Sequence, residues 1–532
     1  MKHIQKISRL TFPVTLLTGL IILVYSRNLC GYESRTSLHG EIVRDIINYS
    51  DEEASLLARI RLSENIDDTF LFNYSLLRDI NSEKNQYTWN AELREVNDHF
   101  NFIAGNYNLR FGSGLLMGKK KFITSDSFTR SLTVSSDESI IAAKGTNPSG
   151  TFFGSAAEIY ITSDNCSAGL IPFISSQKRY ITQQELEQGY VGASLSTLSD
   201  RTARDSKYSE YVNIITYGGM TWFSFIDCIT LQAYGFTTEL LDPERRKMKW
   251  EYNTGNNSGI NRYKACGLFL EYSDEVISFF IEPALSIREY NDSAKGKAVL
   301  WGCGVKSRTA LFSVRGKNCD SGFRAEYASG DRNPENAFEI KTGITPFDNF
   351  EMGALFYSEK NINPSRNSDY AGGVVREEIN CGMKPFKWAE LDFTGARARS
   401  YSDDLDTEKL KLSSSVLFSL PWNLYFRIRS DIQKDGSSLA HVSACEFKYL
   451  FSNYFTLSTG YTHIMSGSGI YAAIIPAAEA EMSAALYRED AKGAAVKLKY
   501  RRDTLSFHGR ISLVETAGER EVTAESSLGF IF

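Results

Sequence analysis

Close cysteine pairs, prolines and long apolar segments are scarce in this sequence of 532 residues. Its eight cysteines are scattered and form no C-x-x-C pair, which zinc and iron–sulfur sites normally need, so we expect neither a metal nor another cofactor. Beyond the first 26 residues no stretch is long and apolar enough for a membrane helix. If the chain crosses a membrane, it therefore does so with strands.

A strong charge of either sign is also missing. The formal net charge is −5 at pH 7, from 59 basic and 64 acidic side chains. This weak acidity argues against nucleic acid as a partner, because binding to phosphates needs an excess of positive charge. Aromatic residues, by contrast, are abundant, with 33 Phe and 28 Tyr against 11 Pro. This composition favours strands over helices.

The N-terminus has the organisation of a secretory signal. A basic head precedes an apolar core over residues 10–25, and Ser26 ends an acceptable cleavage site. An uncleaved membrane anchor is one alternative. Lipidation of Cys30 is another, with less support because Arg27 stands where a lipoprotein signal usually has Leu. The sequence thus predicts an exported protein with a signal peptide over residues 1–26.

A short segment, residues 27–68, follows the signal. Apolar residues at helical spacing predict a helix over Leu38–Tyr49, and the spacing of a capping box predicts a second one over Asp51–Leu62. The rival interpretation makes Ala58–Leu62 part of a strand, since its alternate residues share one apolar face. We favour the helix pair, in a periplasmic segment too short to form an independent domain.

The C-terminal segment Arg520–Phe532 alternates between a mostly apolar and a mostly polar face, as a strand between lipid and water does. Leu528, Phe530 and Phe532 fall on the apolar face, and Phe532 ends the chain. The segment resembles the closing strand of Gram-negative outer-membrane β-barrels. This resemblance implies that Leu528, Phe530 and Phe532 form an insertion signal for the barrel-assembly machinery.

Residues 69–532 show the same alternation throughout. In one strand, for example, Leu410 and Leu412 oppose Lys411 and Ser413. Tight turns and longer connections follow one another, which is typical of a barrel with short periplasmic turns and longer outer loops. No linker divides the region into domains. At roughly 20 residues per strand and connection, it predicts an all-β fold, a single large antiparallel transmembrane β-barrel of about 22–26 strands.

Three local features carry separate predictions. The alternation of apolar and polar residues shifts by one position at Gly105, which predicts a β-bulge or kink. Residues 477–488, within the longest of the later connections, have the pattern of a helix. Cys303 and Cys319 are a candidate disulfide, although single buried or lipid-facing thiols are the favoured interpretation.

Four stretches carry a more specific resemblance. They are GNYNLRFGSGLLMG (Gly105–Gly118), GLIPFISSQKRYI (Gly169–Ile181), VISFFIEPALS (Val276–Ser286) and FEIKTGITPFDNFEMGALFY (Phe338–Tyr357). They resemble the barrel portion of uncharacterised outer-membrane proteins that often carry an N-terminal helix-hairpin-helix segment. Only residues 38–62 precede the barrel here, with no glycine-containing hairpin among them, and the resemblance implies no established activity for the barrel.

A set of charged residues lies on the polar face of the later predicted strands. An Arg or Lys facing lipid at the midplane would cost about 2–4 kcal/mol, so these side chains are expected to face the lumen. Two interpretations stay open: an ion-paired wall that rigidifies the barrel, and a hydrated pore lining with weak ion preference. The residues are Glu390, Asp392, Lys411, Arg427, Arg429, Asp431, Glu446, Lys448, Lys497, Lys499, Arg510, Glu521 and Glu525.

One pair of residues permits an enzymatic interpretation. His441 and Ser443 are two residues apart on a predicted strand and share its lipid-facing side, as a base and a nucleophile would. Ala444 and Cys445 follow the serine where outer-membrane phospholipases have Asn-Gly, so ordinary rim residues are the favoured interpretation. We expect no enzyme.

The sequence therefore predicts an outer-membrane barrel that acts as a pore, a transporter or a secretion-type conduit of unknown substrate. The first alternative is a structural or binding barrel whose lumen is plugged by inward-folded segments. The second is an outer-membrane lipid hydrolase. Expected partners are outer-membrane lipid and the barrel-assembly machinery.

Overall fold

A computed structural model describes most of the chain. The described residues are 34–46, 55–66, 69–79, 85–96, 99–119, 139–143, 151–191, 210–226, 228–244, 246–250, 260, 262–289, 294–325, 327–329, 335–362, 372–401, 406–435, 438–452, 454–466, 471–475, 483–487, 491–502, 505–516 and 519–531. The signal peptide predicted over residues 1–26 lies outside them.

Most of the described residues form one sheet of 25 strands, and three two-stranded sheets lie beside it. The short strand Ile140–Ala142 pairs only with the end of Phe100–Leu109, which leaves 24 strands in an antiparallel ring. In chain order, the ring consists of β1 (Ser34–Ile46), β2 (Ser55–Ile66), β3 (Phe70–Asp79), β4 (Asn85–Val96), β5 (Phe100–Leu109), β6 (Phe152–Thr162), β7 (Cys166–Ile181), β8 (Glu210–Phe225), β9 (Ile229–Leu241), β10 (Arg262–Ser273), β11 (Ile277–Glu289), β12 (Ala294–Lys306), β13 (Ala310–Cys319), β14 (Glu335–Phe347), β15 (Phe350–Asn361), β16 (Gly373–Phe386), β17 (Ala389–Tyr401), β18 (Thr407–Leu420), β19 (Leu424–Asp435), β20 (Ser438–Ser452), β21 (Phe455–Ser466), β22 (Ala491–Arg502), β23 (Leu505–Thr516) and β24 (Glu519–Ile531).

The ring is closed by its first and last strands. β1 pairs with β2 along one side and with β24 along the other, where Leu38 lies opposite Phe530 and Val43 opposite Glu525. Closure gives every strand two neighbours and leaves no unpaired edge. The predicted large antiparallel barrel is therefore confirmed, and its strand number falls within the predicted range.

The N-terminal boundary of the barrel differs from the prediction. Residues expected to form two helices, Leu38–Tyr49 and Asp51–Leu62, instead contribute most of β1 and β2. The helix prediction is wrong, and the rival strand interpretation of Ala58–Leu62 is the observed one. The reason is closure, since without β1 and β2 the strand β24 would have a free edge.

The two rims of the barrel differ in their connections. Each even-numbered strand from β2 to β22 is joined to the next strand by two or three residues, for example between β12 and β13. The connections on the opposite rim include the long segments 110–151 and 467–490. β1 begins and β24 ends at the short-turn rim. This distribution is typical of transmembrane barrels with short periplasmic turns.

Apolar side chains project outward along the strands. Leu412 and Ile511 are 60% exposed and Phe393 is 65% exposed, all on the face opposite the lumen. Large exposed apolar surfaces of this kind are rare on soluble proteins. The outward face is therefore suited to lipid, as the alternation in the sequence predicted.

An aromatic row follows the outward face near the short-turn rim. The rings of Phe386 and Trp388 stack with centroids 5.0 Å apart, and Trp388 stacks on Phe418 at 6.1 Å. Phe418 in turn lies 6.3 Å from Phe426, so the row crosses four strands. Aromatic girdles of this kind mark the membrane interfaces of barrels.

Three local predictions have different outcomes. At Gly105 the backbone has φ +99°, but its pairing with β6 is uninterrupted, so no bulge forms there. Residues 483–487 form a strand paired with 471–475, which contradicts the predicted helix over 477–488. Cys303 and Cys319 are both free thiols, so the candidate disulfide is wrong.

Helical structure is minor among the described residues. The helix α1 (Gln183–Gln188) follows β7, with a capping box formed by Thr182 and Glu185 and with Gly189 in the left-handed conformation after its last turn. In the described part of the chain, no helix has the length and apolarity needed to cross a membrane.

The two faces of β18 can be tested with adjacent substitutions. Leu412→Arg places a cation on the outward face and is expected to destabilise the barrel in lipid vesicles by about 2–4 kcal/mol. Ser413→Arg, on the inward face opposite Asp431, is the matched control and is expected to cost much less. The measurement is urea unfolding followed by heat-modifiable migration on gels. Equal destabilisation by both variants would contradict the assignment of faces.

Candidate functional site

The inner wall has two different halves. From β5 to β13 many inward side chains are large and fully packed; Tyr107 and Tyr263 have 0% exposure. From β17 to β20 most inward charged side chains keep part of their surface, with 37% exposure for both Glu390 and Arg427, while Asp431 is buried. Within the described residues, the lumen is therefore filled beside β5 to β13, which we call the filled half, and accessible to water beside β17 to β20, which we call the open half.

The filled half contains a segment that folds inward after β5. Phe111, Leu116 and Met117 are at most 1% exposed. The Phe111 ring lies 5.9 Å from Phe173 and 5.6 Å from Tyr234, centroid to centroid. The segment therefore packs against the inner face of β7 and β9 rather than extending from the rim.

Two glycines allow this segment to reverse direction. Gly112 has φ +58° and Gly114 has φ +91°, and the Gly114 amide donates to the carbonyl of Phe111 at 3.1 Å. Glycine adopts positive φ without the steric cost that other residues have. At Gly112, moreover, an added Cβ would lie 2.6 Å from a carboxyl oxygen of Glu282, so the close approach also requires glycine.

The carboxyl group of Glu282 holds the turn in place. Glu282 is fully buried on the inner face of β11. One of its oxygens accepts from the Ser113 amide at 2.8 Å and from the Ser113 hydroxyl, while the other accepts from the hydroxyl of Tyr234. The Gly112 amide donates to Gln232 at 2.8 Å. A buried carboxyl group is costly unless it is hydrogen-bonded, so this arrangement satisfies it and fixes the segment.

A second inward segment comes from the connection after β13. The Arg324 amide donates to Ser286 Oγ at 3.0 Å, and Tyr263 donates its hydroxyl to the Arg324 carbonyl at 2.8 Å. Gly296 on β12 lies against the Gly322 backbone, where a side chain would not fit. The second segment is thus seated on the inner face of β10 to β12.

The two inward segments meet inside the barrel. Tyr327 pairs with Met117 in a short parallel ladder. The Tyr327 hydroxyl lies 2.7 Å from the hydroxyl of Thr216 and 3.2 Å from that of Thr238, which anchors the ladder to β8 and β9. We name the two segments together, residues 111–117, 323–325 and 327–329, the inner plug.

The open half is lined by charged residues in register. Asp392 pairs with Ser415, and Ser415 with Arg429, so their side chains share the inner face. Arg429 forms an ion pair with Asp431 at 2.9 Å, and Arg427 forms one with Glu446 at 3.9 Å whose side chains stay partly exposed. The charges of this wall are therefore paired, and some of the pairs remain accessible to water.

The pairing of neighbouring strands places the predicted lumen residues on the inner face of the ring. Lys448 pairs with Ser458, Ser458 with Lys497 and Lys497 with Arg510. Arg510 pairs with Glu525, while Glu521 pairs with Val514 in the same strand pair. For Arg510, Glu521 and Glu525 only the backbone lies within the described part.

The predicted base and nucleophile are not in contact with each other. His441 Nε2 lies 2.9 Å from the hydroxyl of Ser430 on the neighbouring strand, and Ser443 pairs with Ser430 and His463. In the described region, no group of His, Cys, Asp and Glu side chains has the arrangement of a metal site. The outward position of His441 and Ser443 agrees with the favoured interpretation as rim residues.

The predicted insertion signal lies on the closing strand. In β24, Leu528 pairs with Gly40 and Phe530 with Leu38. The side chains of Leu528 and Phe530, and the whole of Phe532, lie outside the described residues. The role of these residues as an insertion signal stays a prediction.

The sequence predicts inward-folded segments only as an alternative and without their location, although it carries a signal for the inner plug. In GLIPFI, Leu170 and Ile174 face outward while Ile171 and Phe173 are buried inside, so the strand is apolar on both faces. VISFFIEPALS, which contains Glu282, has the same character. A barrel strand that is apolar on both faces indicates an interior that is packed rather than wet.

Comparisons with known proteins identify similar folds only. No family model and no curated protein matches the chain. Among solved structures, the P pilus usher PapC translocation pore matches with a TM-score of 0.41 and 8% identity over 93% of this chain and 98% of that chain. The siderophore receptor PirA from Acinetobacter baumannii matches with a TM-score of 0.48 and 8% identity over 94% and 80%. The likeness to helix-hairpin-helix proteins stays a prediction.

Removing the Glu282 carboxyl group is expected to release the first plug segment. Hydrogen bonds to charged groups contribute about 1.5–3 kcal/mol each, and Glu282→Ala removes several of them. We expect trypsin to cleave the folded variant after Arg110 or Lys119 faster than the wild type. Ser278→Ala, on the same face of β11, is the control. Unchanged cleavage in a folded Glu282→Ala barrel would contradict the anchoring role.

Proposed function

We propose that the protein is a Gram-negative outer-membrane barrel that conducts solutes through the open half of its lumen. The closed ring, with apolar side chains outside and partly exposed charges inside, is the observation that carries this proposal. Such a ring is stable in lipid because all its backbone groups are paired. β1 begins and β24 ends at the short-turn rim, which suits a barrel inserted from the periplasm.

Charged inner side chains provide the path for solutes. Lys411, Arg427, Glu446 and Lys448 belong to neighbouring strands and keep part of their surface exposed. Charged groups in this position hydrate a lumen and tolerate passing ions, whereas an apolar wall would exclude them. The full set proposed to line the path is Glu390, Asp392, Lys411, Arg427, Arg429, Asp431, Glu446, Lys448, Lys497, Lys499, Arg510, Glu521 and Glu525.

The inner plug narrows the path. It occupies the side of the lumen bounded by β7 to β12, and its anchor on Glu282 is a small set of hydrogen bonds. Conduction through this barrel therefore depends on how far the plug extends toward the charged wall. The barrel-assembly machinery and outer-membrane lipid are the partners that such a fold needs.

A second candidate function is favoured by the plug itself. If the two inward segments close the lumen, the barrel acts as a structural or binding protein whose long-rim connections contact a partner. The parallel ladder between Met117–Lys119 and Tyr327–Ser329 supports this candidate, because it joins two connections across the interior. The two candidates differ in conductance.

Recording in a planar bilayer distinguishes them. The purified wild-type protein is expected to show stable conductance steps, since the charged half of the lumen is accessible to water. Glu282→Ala is expected to give a larger or noisier conductance, because the plug is released. A silent wild type with normal heat-modifiable migration would contradict an open path and favour the binding barrel.

Charge reversal tests which side chains face the path. Lys411→Glu is expected to shift the reversal potential in a salt gradient toward cation preference, because it replaces a positive charge on the lumen wall by a negative one. Lys434→Glu, on the outward face of the adjacent strand, is the control and is expected to leave it unchanged. Equal shifts from both variants would contradict the proposed path.

A further inference from the structure

The outward face of the barrel has a groove across β8 to β12. Its volume is about 710 Å³, and its lining is almost entirely apolar. On most of a barrel wall, outward side chains cover the backbone. Here, one row of residues that lie side by side on neighbouring strands consists of small residues instead. Gly219 pairs with Gly235, and Gly235 with Cys266, so at this level three adjacent strands have little side chain facing the membrane.

Larger apolar side chains form the sides of the groove. Leu170 and Leu268 project outward, 45% and 59% exposed, and Leu285 and Val299 complete the lining. The volume falls within the range of about 300–1,000 Å³ found for pockets that bind small molecules. A groove of this shape on a lipid-facing wall suits an acyl chain.

One end of the groove is cationic. The row of small residues continues through Leu285 to Lys297, which is exposed and lines the groove. The next row toward the long-connection rim contains Lys264, which is ion-paired with Glu289, and Lys295, which is exposed. Asp320 accepts from the backbone amide of Lys297 at 2.8 Å, so Lys295 and Lys297 supply the positive charge of this end. A lysine near a membrane surface contributes about 1 kcal/mol to the attraction of an anionic headgroup.

We propose that this groove binds one acyl lipid with a net anionic phosphate headgroup, the chain lying over Gly219, Gly235 and Cys266 and the phosphate near Lys297. We choose a lipid as the occupant because its phosphate group complements the charge of the lysines. A second copy of the chain would need an acidic patch at this position. The proposal rests on the membrane location proposed above but not on conduction.

Lipid binding can be measured by native mass spectrometry of the full chain released from detergent. The probes are dipalmitoyl phosphatidylglycerol, its phosphatidylcholine counterpart and inorganic phosphate. The wild type is expected to retain the phosphatidylglycerol at least about tenfold more tightly than the phosphatidylcholine, given about 1 kcal/mol for each lysine. Inorganic phosphate is expected neither to bind nor to compete. Equal retention of the two lipids, or displacement by phosphate, would overturn the proposal.

Three variants locate the site. Lys297→Glu is expected to weaken phosphatidylglycerol about tenfold or more, and Gly235→Leu to displace both lipids by filling the groove. A Cβ at Gly235 would have its nearest neighbour at 3.4 Å, so the substitution is compatible with the fold. Lys434→Glu, an outward lysine far from the groove, is expected to have no effect. If it weakened binding as much as Lys297→Glu does, the effect would be general surface charge and the groove would not be the site.

Two other outcomes decide between lipid binding and alternatives. A dimer that disappears in Gly235→Leu would make the groove an interface between copies and overturn the proposal. Conductance recorded for the same variants separates the two hypotheses: a silent barrel that still selects phosphatidylglycerol refutes conduction alone, and a conducting barrel without lipid preference refutes the groove alone.

Discussion

The need to pair every backbone amide and carbonyl group within the sheet controls the whole molecule. Outside the ring no water is available to replace a missing partner, so an unpaired edge would cost several kcal/mol for each group. The pairing of β1 with β24 removes the last edge. It also explains why residues 34–46 and 55–66 form strands, and why β1 begins at the rim where β24 ends.

Much of the ring was predictable because alternation is a local property. The alternation of Leu410 and Leu412 with Lys411 and Ser413 in the sequence is observed as the outward and inward faces of β18. The helices predicted over residues 38–62 failed for a physical reason. A short amphipathic segment fits both the helical spacing of apolar residues and the alternation of a strand. Pairing with residues 519–531 decides between the two, and these residues are far away in the sequence.

The interior was harder to predict because its contacts join distant parts of the chain. The phase shift at Gly105 looked like a bulge, yet Tyr107 and Leu109 are simply buried on the inner face. The lumen is packed beside β5, so these apolar residues face the interior rather than the lipid. That Ser113 binds Glu282 follows from the position of β5 relative to β11, which depends on every strand between them.

The parallel ladder between Met117 and Tyr327 has a consequence for the order of assembly. Its two halves flank all of β6 to β13, so they meet only when those strands have taken their places. Contacts of such long sequence separation form late, because the intervening chain must be ordered first. We therefore expect the inner plug to be completed only after the strands that hold it are in place.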